Sequence, residues 1–503
     1  MSLRRLGTRG LSRRNVVAGA IAAFGLSGGC HARVFMPIGL FPRGTAIDIP
    51  PQVDQVRTTG FAVAGVGAAT YLYDPAIGGA EHAERPLSTF QTKDGRFFRL
   101  KPEAMLDLAT VGMQVGLAGG HAAINADALR EALTLSRTVV FPAGVIDLRL
   151  PGGFILPMRD GLTIMGRGWA TQVVGGGAIF SLPSLANFHL SDIWLLQTTN
   201  EGPAIQSYHC NLRNIQFTRV KISVQDKGVS KNNCISIVVD RSPVASDGMA
   251  GVAGMVIKDC WFEPGRMGVE IQNHGDGERV YRYRNILVDG TTVTKTPPAN
   301  GMGVSLSGWG DKCQVRNGRF VDCAGPCVEI VGADNTTIEG NQFVGNIGTP
   351  IAISNMRVVR GCKIIGNTVT GAPSVGLFIE AADGVVITGN DLSTAGGFVI
   401  KAKHVDIIGN NLTAIGTAQL FQIDRAQNVR IERNVMRSRG GSNGQPMIVV
   451  FNGSKNCVIK GNRMERRDYD VTNNALWVRH SPDTVGLVVQ NNQRIGKAKG
   501  RVG

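Results

Sequence analysis

Beyond residue 334 the chain alternates apolar and polar positions in short runs, and each run meets the next across what is usually a Gly-Asn pair. TTIEGNQF at 336 to 343 is followed by CKIIGNTV, GVVITGND, VDIIGNNL, VRIERNVM, CVIKGNRM and a weaker GLVVQNNQ. The asparagines of this phrase are Asn341, Asn367, Asn390, Asn410, Asn434, Asn462 and Asn491, spaced 20 to 29 residues apart. Alternation marks half-buried strands, and that period is the length of one coil of a solenoid. One coil cannot bury its own apolar face, so the pattern predicts an all-β fold of coils stacked into a parallel β-helix. A residue recurring at one point of every coil stacks into a ladder. Asparagine suits it, because the amide donates to one neighbour and accepts from the next.

A second set of strands opens on a small residue or its equivalent. These are CISIVVD from 234, GVEIQNH from 268, GVSLSGW from 303, CVEIVGA from 327, PIAISNM from 350, GLFIEAA from 376 and GFVIKAK from 397, then LFQIDRA, MIVVFNG and ALWVRHS from 420, 447 and 475. Their second and fourth places are apolar and point inward, so the third and fifth point outward. Down the third place stand Ser236, Glu270, Ser305, Glu329, Ala352, Phe378, Val399, Gln422, Val449 and Trp477. Down the fifth stand Val238, Gln272, Ser307, Val331, Ser354, Glu380, Lys401, Asp424, Phe451 and Arg479. With rungs about 4.8 Å apart, Glu380, Lys401 and Asp424 are expected to form an acid-base-acid ladder, in the plainest reading a surface ion network.

The rest of the chain divides around this rod. Residues 1–32 read as an export signal: Arg4, Arg5, Arg9, Arg13 and Arg14 precede the apolar run Val16 to Leu26, which is too short to span a membrane. Ser12-Arg13-Arg14 looks like a twin-arginine signal, and Leu26-Ser27-Gly28-Gly29-Cys30 is an imperfect lipoprotein box, which leaves two outcomes open: a lipid anchor at Cys30, the one route to a membrane, or ordinary cleavage after Ala32. Residues 33–118 form a small non-repetitive module with strand-like pieces TGFAVAG, ATYLYDP and GRFFRL. A helix over 122–136, with Ile124, Leu129, Leu133 and Leu135 near one face, is expected to cap the open first coil of a solenoid at 119–495, and 496–503 form a basic tail.

Charge and cysteine usage narrow the function. The formal charge of +15 falls to +10 without the five arginines and no acids of the export signal (15 − 5 = 10). An exported protein this basic suits an acidic polysaccharide partner. No helix-turn-helix, zinc-finger or aromatic RNA-binding pattern accompanies the charge, which argues against nucleic acid. The nine cysteines lack metal-ligand spacing, and Cys260 of VIKDCWF aligns with Asn341. Buried free thiols are expected, although export permits disulfides.

The segment TVVFPAGV, followed by GRGWAT at 166–171, resembles the pectate-lyase-like superfamily of right-handed parallel β-helices over roughly residues 120 to 495. That resemblance implies a right-handed solenoid with an N-terminal capping helix. Its members include lyases, hydrolases, epimerases, adhesins and phage tailspikes that assemble as trimers, so fold alone does not select the reaction. Residues 60 to 100 also resemble the small N-terminal module of some bacterial and phage exopolysaccharide depolymerases.

Candidate chemistry concentrates in Glu270-Ile-Gln272-Asn273-His274-Gly-Asp276-Gly-Glu278-Arg279-Val-Tyr281-Arg282-Tyr283, within a coil about ten residues longer than those downstream. In the leading reading, β-elimination from a uronic acid, Arg282 or Arg279 neutralises the substrate carboxylate with help from Asn273. His274 or Tyr281 is the base, and Tyr283 or His274 the acid. Gln272, Asp276 and Lys401 join the candidate substrate-binding residues. In the alternative, hydrolysis, Glu270 and Glu329 flank the glycosidic oxygen two coils apart, a separation that suits inversion, with Asp276 as a substitute for either. A third reading is a non-catalytic glycan-binding rod. No cofactor is required, although Glu270, Asp276 and Glu278 offer oxygen ligands for a Ca²⁺ ion that would serve elimination. The paired aspartates and Gly-His-Gly of the polygalacturonase type are absent, and Asn273-His274-Gly275 is a partial echo.

Overall fold

The computed structural model describes residues 34–497 except 200, 226–231, 245–249, 276–279, 299–300, 354–356, 416–418, 440–444 and 471–476. The export-signal segment with Cys30, most of the basic tail, Ser354, Asp276, Glu278 and Arg279 therefore lie outside the described residues.

From Leu106–Asp107 to Gln493–Lys497 the strands form one continuous set of parallel pairings, each strand hydrogen-bonded to its counterpart in the coils before and after. The pattern of β-branched residues explains this arrangement. Ile257, Val288, Val315, Ile338, Ile364, Ile387, Ile407, Ile431 and Ile459 pair in register along nine rungs. All are at most 2% exposed, so they form a single stack along the axis. The core widens elsewhere to admit rings, as where Phe320 and Phe343 stack at 5.1 Å.

The asparagine ladder runs along one corner. Asn341 Nδ2 donates to Asn367 Oδ1 at 3.0 Å, and the same bond links Asn367 to Asn390, Asn390 to Asn410, Asn410 to Asn434 and Asn434 to Asn462. The last rung corrects the sequence reading, because Asn462 bonds Asn492 rather than Asn491. The reason is conformational: each ladder residue follows one in the left-handed region, Gly340, Gly366, Gly389, Gly409, Arg433 and Gly461. In QNNQ that place is filled by Asn491, at φ 52°, which pushes the ladder one residue on.

The helix His121–Leu135 covers the first coil. Its buried side runs through Asn125, Ala128, Leu129, Ala132 and Leu133, with Ile124 and Leu135 at the margins rather than the centre of the expected face. Asn125 Nδ2 donates to the carbonyls of Gln114 and Asp147, satisfying backbone acceptors at the end of the rod. Ahead of it, a separate five-stranded sheet (Phe35–Leu40, Gln55–Gly60, Thr70–Tyr73, Phe97–Leu100, Thr89–Gln91, in that order) packs around Phe41, Tyr71, Phe90 and Phe98. Glu131 fastens the two parts together, its Oε2 accepting the Leu87 N–H at 3.1 Å.

Of the eight described cysteines all but Cys210 are buried, and burial pushes the thiols of Cys260, Cys313 and Cys362 up to about 12. Cys260 holds the rung position of the asparagine column and donates to the Phe217 carbonyl at 3.5 Å.

Candidate active site

Strand pairings place Ser236, Glu270, Ser305, Glu329, Ala352 and Phe378 in one outward column, as the alternation requires. Beyond Phe378 the reading slips. Phe398, not Val399, pairs with Phe378, and Val399 is fully buried. Gly396 and Gly397 both read as a strand opening, and a slip of one residue exchanges inside for outside. At the far end Arg479 holds the place assigned to Trp477, which is buried. Lys401 is displaced likewise: Ile400 pairs with Glu380 and Asp424, while Lys401 turns at φ 49°. Its Nζ lies 3.6 Å from Glu380, but Asp424 pairs instead with Arg425 at 2.8 Å. Five rungs separate this lysine from Glu270, about 24 Å along the axis, so it is not part of the same site.

The column is outward-facing yet covered: Ser236, Glu270 and Ser305 are only 2%, 3% and 3% exposed. Four donors converge on the Glu270 carboxylate. Asn233 and Ser236 reach Oε2 at 2.5 and 2.9 Å, Arg266 reaches Oε1 at 3.2 Å, and Gln272 donates to the same oxygen. Such an arrangement suits a carboxylate acting purely as acceptor. Glu329 is placed differently. It is half-buried, Ser305 donates to its Oε2 at 3.2 Å, and burial raises its carboxyl above the usual carboxylate range against the opposing pull of that bond and of Arg266. Two in-register carboxyls therefore flank Ser305 with Arg266 close to both, one ringed by donors and the other inclined to hold its proton. Sequence alternation found the two acids but not Arg266, Asn233 or Tyr208, which lie at strand ends or on neighbouring columns. Tyr208 is 46% exposed, and partial burial, then the Glu270 charge, push its phenol up.

The segment after Glu270 divides in two. His274 is exposed; its Nε2 is 2.8 Å from Ser307 Oγ, its N–H donates to Asp240 at 2.6 Å, and its carbonyl accepts from Arg357 at 3.3 Å. Arg357 in turn lies 4.7 Å over the Trp309 ring. Tyr281 donates to Asp334 at 2.5 Å and Arg282 to the Ser242 carbonyl at 2.9 Å, so both are engaged within the fold. Asn273 and Tyr283 correct the expectation. Both are fully buried: Asn273 donates to the carbonyls of Val280 and Trp309, and Tyr283 to that of Gly308. Burial drives the Tyr283 phenol well above its ordinary value, which unfits it as a proton donor to substrate.

These buried groups brace a bulge at Ser307 to Gly310, where the pairing with the next coil shifts register. Gly308 makes the bulge feasible: at φ 79°, a Cβ there would lie 1.7 Å from the Asn273 carbonyl oxygen. Gly308→Ala is expected to lower stability by about 1–3 kcal/mol through backbone strain, with the collision added. Gly366→Ala, at φ 60° with open space around it, carries the strain alone, so comparing their thermal midpoints isolates the collision. Among the described residues no group of three His, Cys, Asp or Glu side chains is placed to hold a metal ion.

A family described as "right handed beta helix region" matches residues 249–412. Among solved structures, tailspike protein 3 of bacteriophage CBA120 superimposes with a TM-score of 0.53 at 14% identity, covering 93% of this chain and 79% of that one. The A-module of a mannuronan C-5 epimerase from Azotobacter vinelandii gives 0.45 at 14% identity over 76% of this chain and 99% of that one. A surface adhesin of Streptococcus pneumoniae gives 0.43 at 14% identity over 79% and 94%. No curated protein matches the chain in sequence. In the residues that the family covers and in its solenoid as a whole, the chain is a right-handed parallel β-helix.

Proposed function

We propose that this protein is a carbohydrate-active enzyme that hydrolyses glycosidic bonds of an acidic polysaccharide. Glu329 is the proton donor to the leaving oxygen and Glu270 the partner carboxylate that orients water. The observation that carries this reading is the pairing Glu270–Ser305–Glu329, which sets the two backbones about 10 Å apart, with Glu270 ringed by donors and the Glu329 carboxyl raised by burial. A separation of two rungs is closer to the spacing of an inverting pair than to that of a retaining one. Arg266, near both acids, and the basic net charge favour an anionic substrate.

β-Elimination is the second reading, favoured by one observation: His274 is exposed, with its Nε2 on the Ser307 hydroxyl. Tyr281 and Arg282, which that mechanism also recruits, are bonded to Asp334 and the Ser242 carbonyl. Incubation with acidic polysaccharides decides between the two. New reducing ends without the ultraviolet absorbance of an unsaturated uronate are expected. Appearance of that absorbance, with its loss in His274→Ala, would transfer the reaction to elimination, and binding without cleavage would make the protein a glycan-binding rod.

A further inference from the structure

Three of the five tryptophans gather on the face that precedes the Glu270 strand in the coil. Trp194, Lys221 and Trp261 stand side by side on three successive rungs. Trp169, from the GRGWAT turn, meets Trp261 edge-on with ring centroids 6.3 Å apart. The Lys221 ammonium lies 4.2 Å from the Trp194 centroid and 5.6 Å from that of Trp169. All three indole N–H groups are already committed, to the Arg219 carbonyl at 3.3 Å, to Ser223 at 3.1 Å and to Glu263 at 3.2 Å. What remains for solvent is ring surface, and Trp169 is 47% exposed. Trp194 and Trp261 are partly buried, and apolar ring surface left in contact with water is costly without a ligand.

We propose that this face is a second, non-catalytic binding surface for an acidic oligosaccharide. Its pyranose rings stack their C–H faces on the indoles, and Lys221 takes a sugar carboxylate. The electron-rich face of an indole attracts weakly positive C–H groups, and a lysine held over the rings places a cation beside the stacked sugar. Trp194 and Trp261 are two rungs, about 10 Å, apart, on the scale of a disaccharide repeat. The same column continues as Thr292, Arg319 and Gln342, side chains that hydrogen-bond hydroxyls. Single-stranded nucleic acid also stacks on tryptophan, but it needs a continuous cationic track for its phosphates, and across the three rungs of Trp194, Lys221 and Trp261 the column offers the single cation of Lys221. Because Trp261 shares a coil with Glu270, a chain held on this face and followed along the axis runs beside the carboxylate rungs.

The test reads binding rather than cleavage. Full-length Glu329→Gln protein, which leaves the probe intact, is titrated with hexamers of polygalacturonate and alginate, with a neutral glucan hexamer and with oligothymidylate, by calorimetry and tryptophan fluorescence. An acidic hexamer is expected to bind and shift the fluorescence. Trp169→Ala with Trp261→Ala should weaken it at least tenfold, the corresponding Phe pair should restore it, and Lys221→Met should erase the preference for acidic over neutral hexamers. The proposal fails if no acidic hexamer binds, if the alanine pair binds unchanged, or if oligothymidylate binds as tightly. It also fails if light scattering shows the alanine pair converting an oligomer to a monomer, which would assign the face to contacts between copies. Binding that survives where wild-type protein cleaves nothing overturns the hydrolase reading alone.

Discussion

Replacing Glu329 with glutamine is expected to reduce turnover of an acidic polysaccharide by about 10²- to 10⁴-fold, the contribution typical of one positioned acid or base. Glutamine keeps the shape of the side chain and the bond from Ser305 but carries no transferable proton. The pH dependence supplies a second readout. Because burial raises the Glu329 carboxyl, its protonated form persists above the usual carboxylate range, and activity should fall as pH rises through that elevated value. Stability follows the same sign. A folded-state pKa above the unfolded one means the folded protein binds more protons between the two, so the contribution is present below the unfolded value and lost as pH rises through the folded one. Glutamine removes that penalty, so the variant should melt higher than wild type at neutral pH. An active variant whose pH profile matches wild type would remove Glu329 from the chemistry.

Asn390→Ala, which removes one rung of the ladder, should lower unfolding free energy by about 3 kcal/mol in urea titration. The amide of Asn390 accepts the Asn367 N–H at 2.8 Å and its Nδ2 at 3.0 Å, and donates to the Ile364 carbonyl at 2.9 Å and to Asn410 at 2.9 Å. Alanine leaves those groups buried without partners, at a residue only 1% exposed, and a solenoid transmits the defect to the coils on both sides. Asn411 is the control: it is only partly buried, with its Nδ2 bonded to Asp391 at the surface, so its alanine variant should stay within about 0.5 kcal/mol of wild type. Equal effects at the two positions would mean that the ladder does not hold the coils together.

Alternation made the column through Ser236, Glu270, Ser305 and Glu329 readable, because a strand has only two faces and the apolar set identifies the inner one. It failed at the glycine pair 396–397, where either residue could open the strand, and at Trp477, where a large apolar ring reads equally as core or surface. Segment 273–283 was rich in reactive residue types, but composition does not say which are spent on the fold. Asn273 and Tyr283 brace a bulge whose existence depends on Gly308 and the next coil. Arg266 escaped notice because it lies in a corner, where no periodicity identifies the direction of a side chain.

The strand period, the asparagine ladder up to Asn462 and the inner and outer faces as far as Phe378 were settled by the amino-acid sequence itself, since each depends on local alternation and on a repeat that successive coils restate. Which outward residues meet was decided by stacking. Coil lengths vary, with 34 residues from Ser236 to Glu270 against 20 from Asn390 to Asn410, so the neighbours across a rung follow from how corners and bulges absorb the difference. Three features therefore exist only once the coils close over one another: the convergence of four donors on Glu270, the burial that lifts Glu329, and the gathering of Trp169, Trp194 and Trp261 around Lys221.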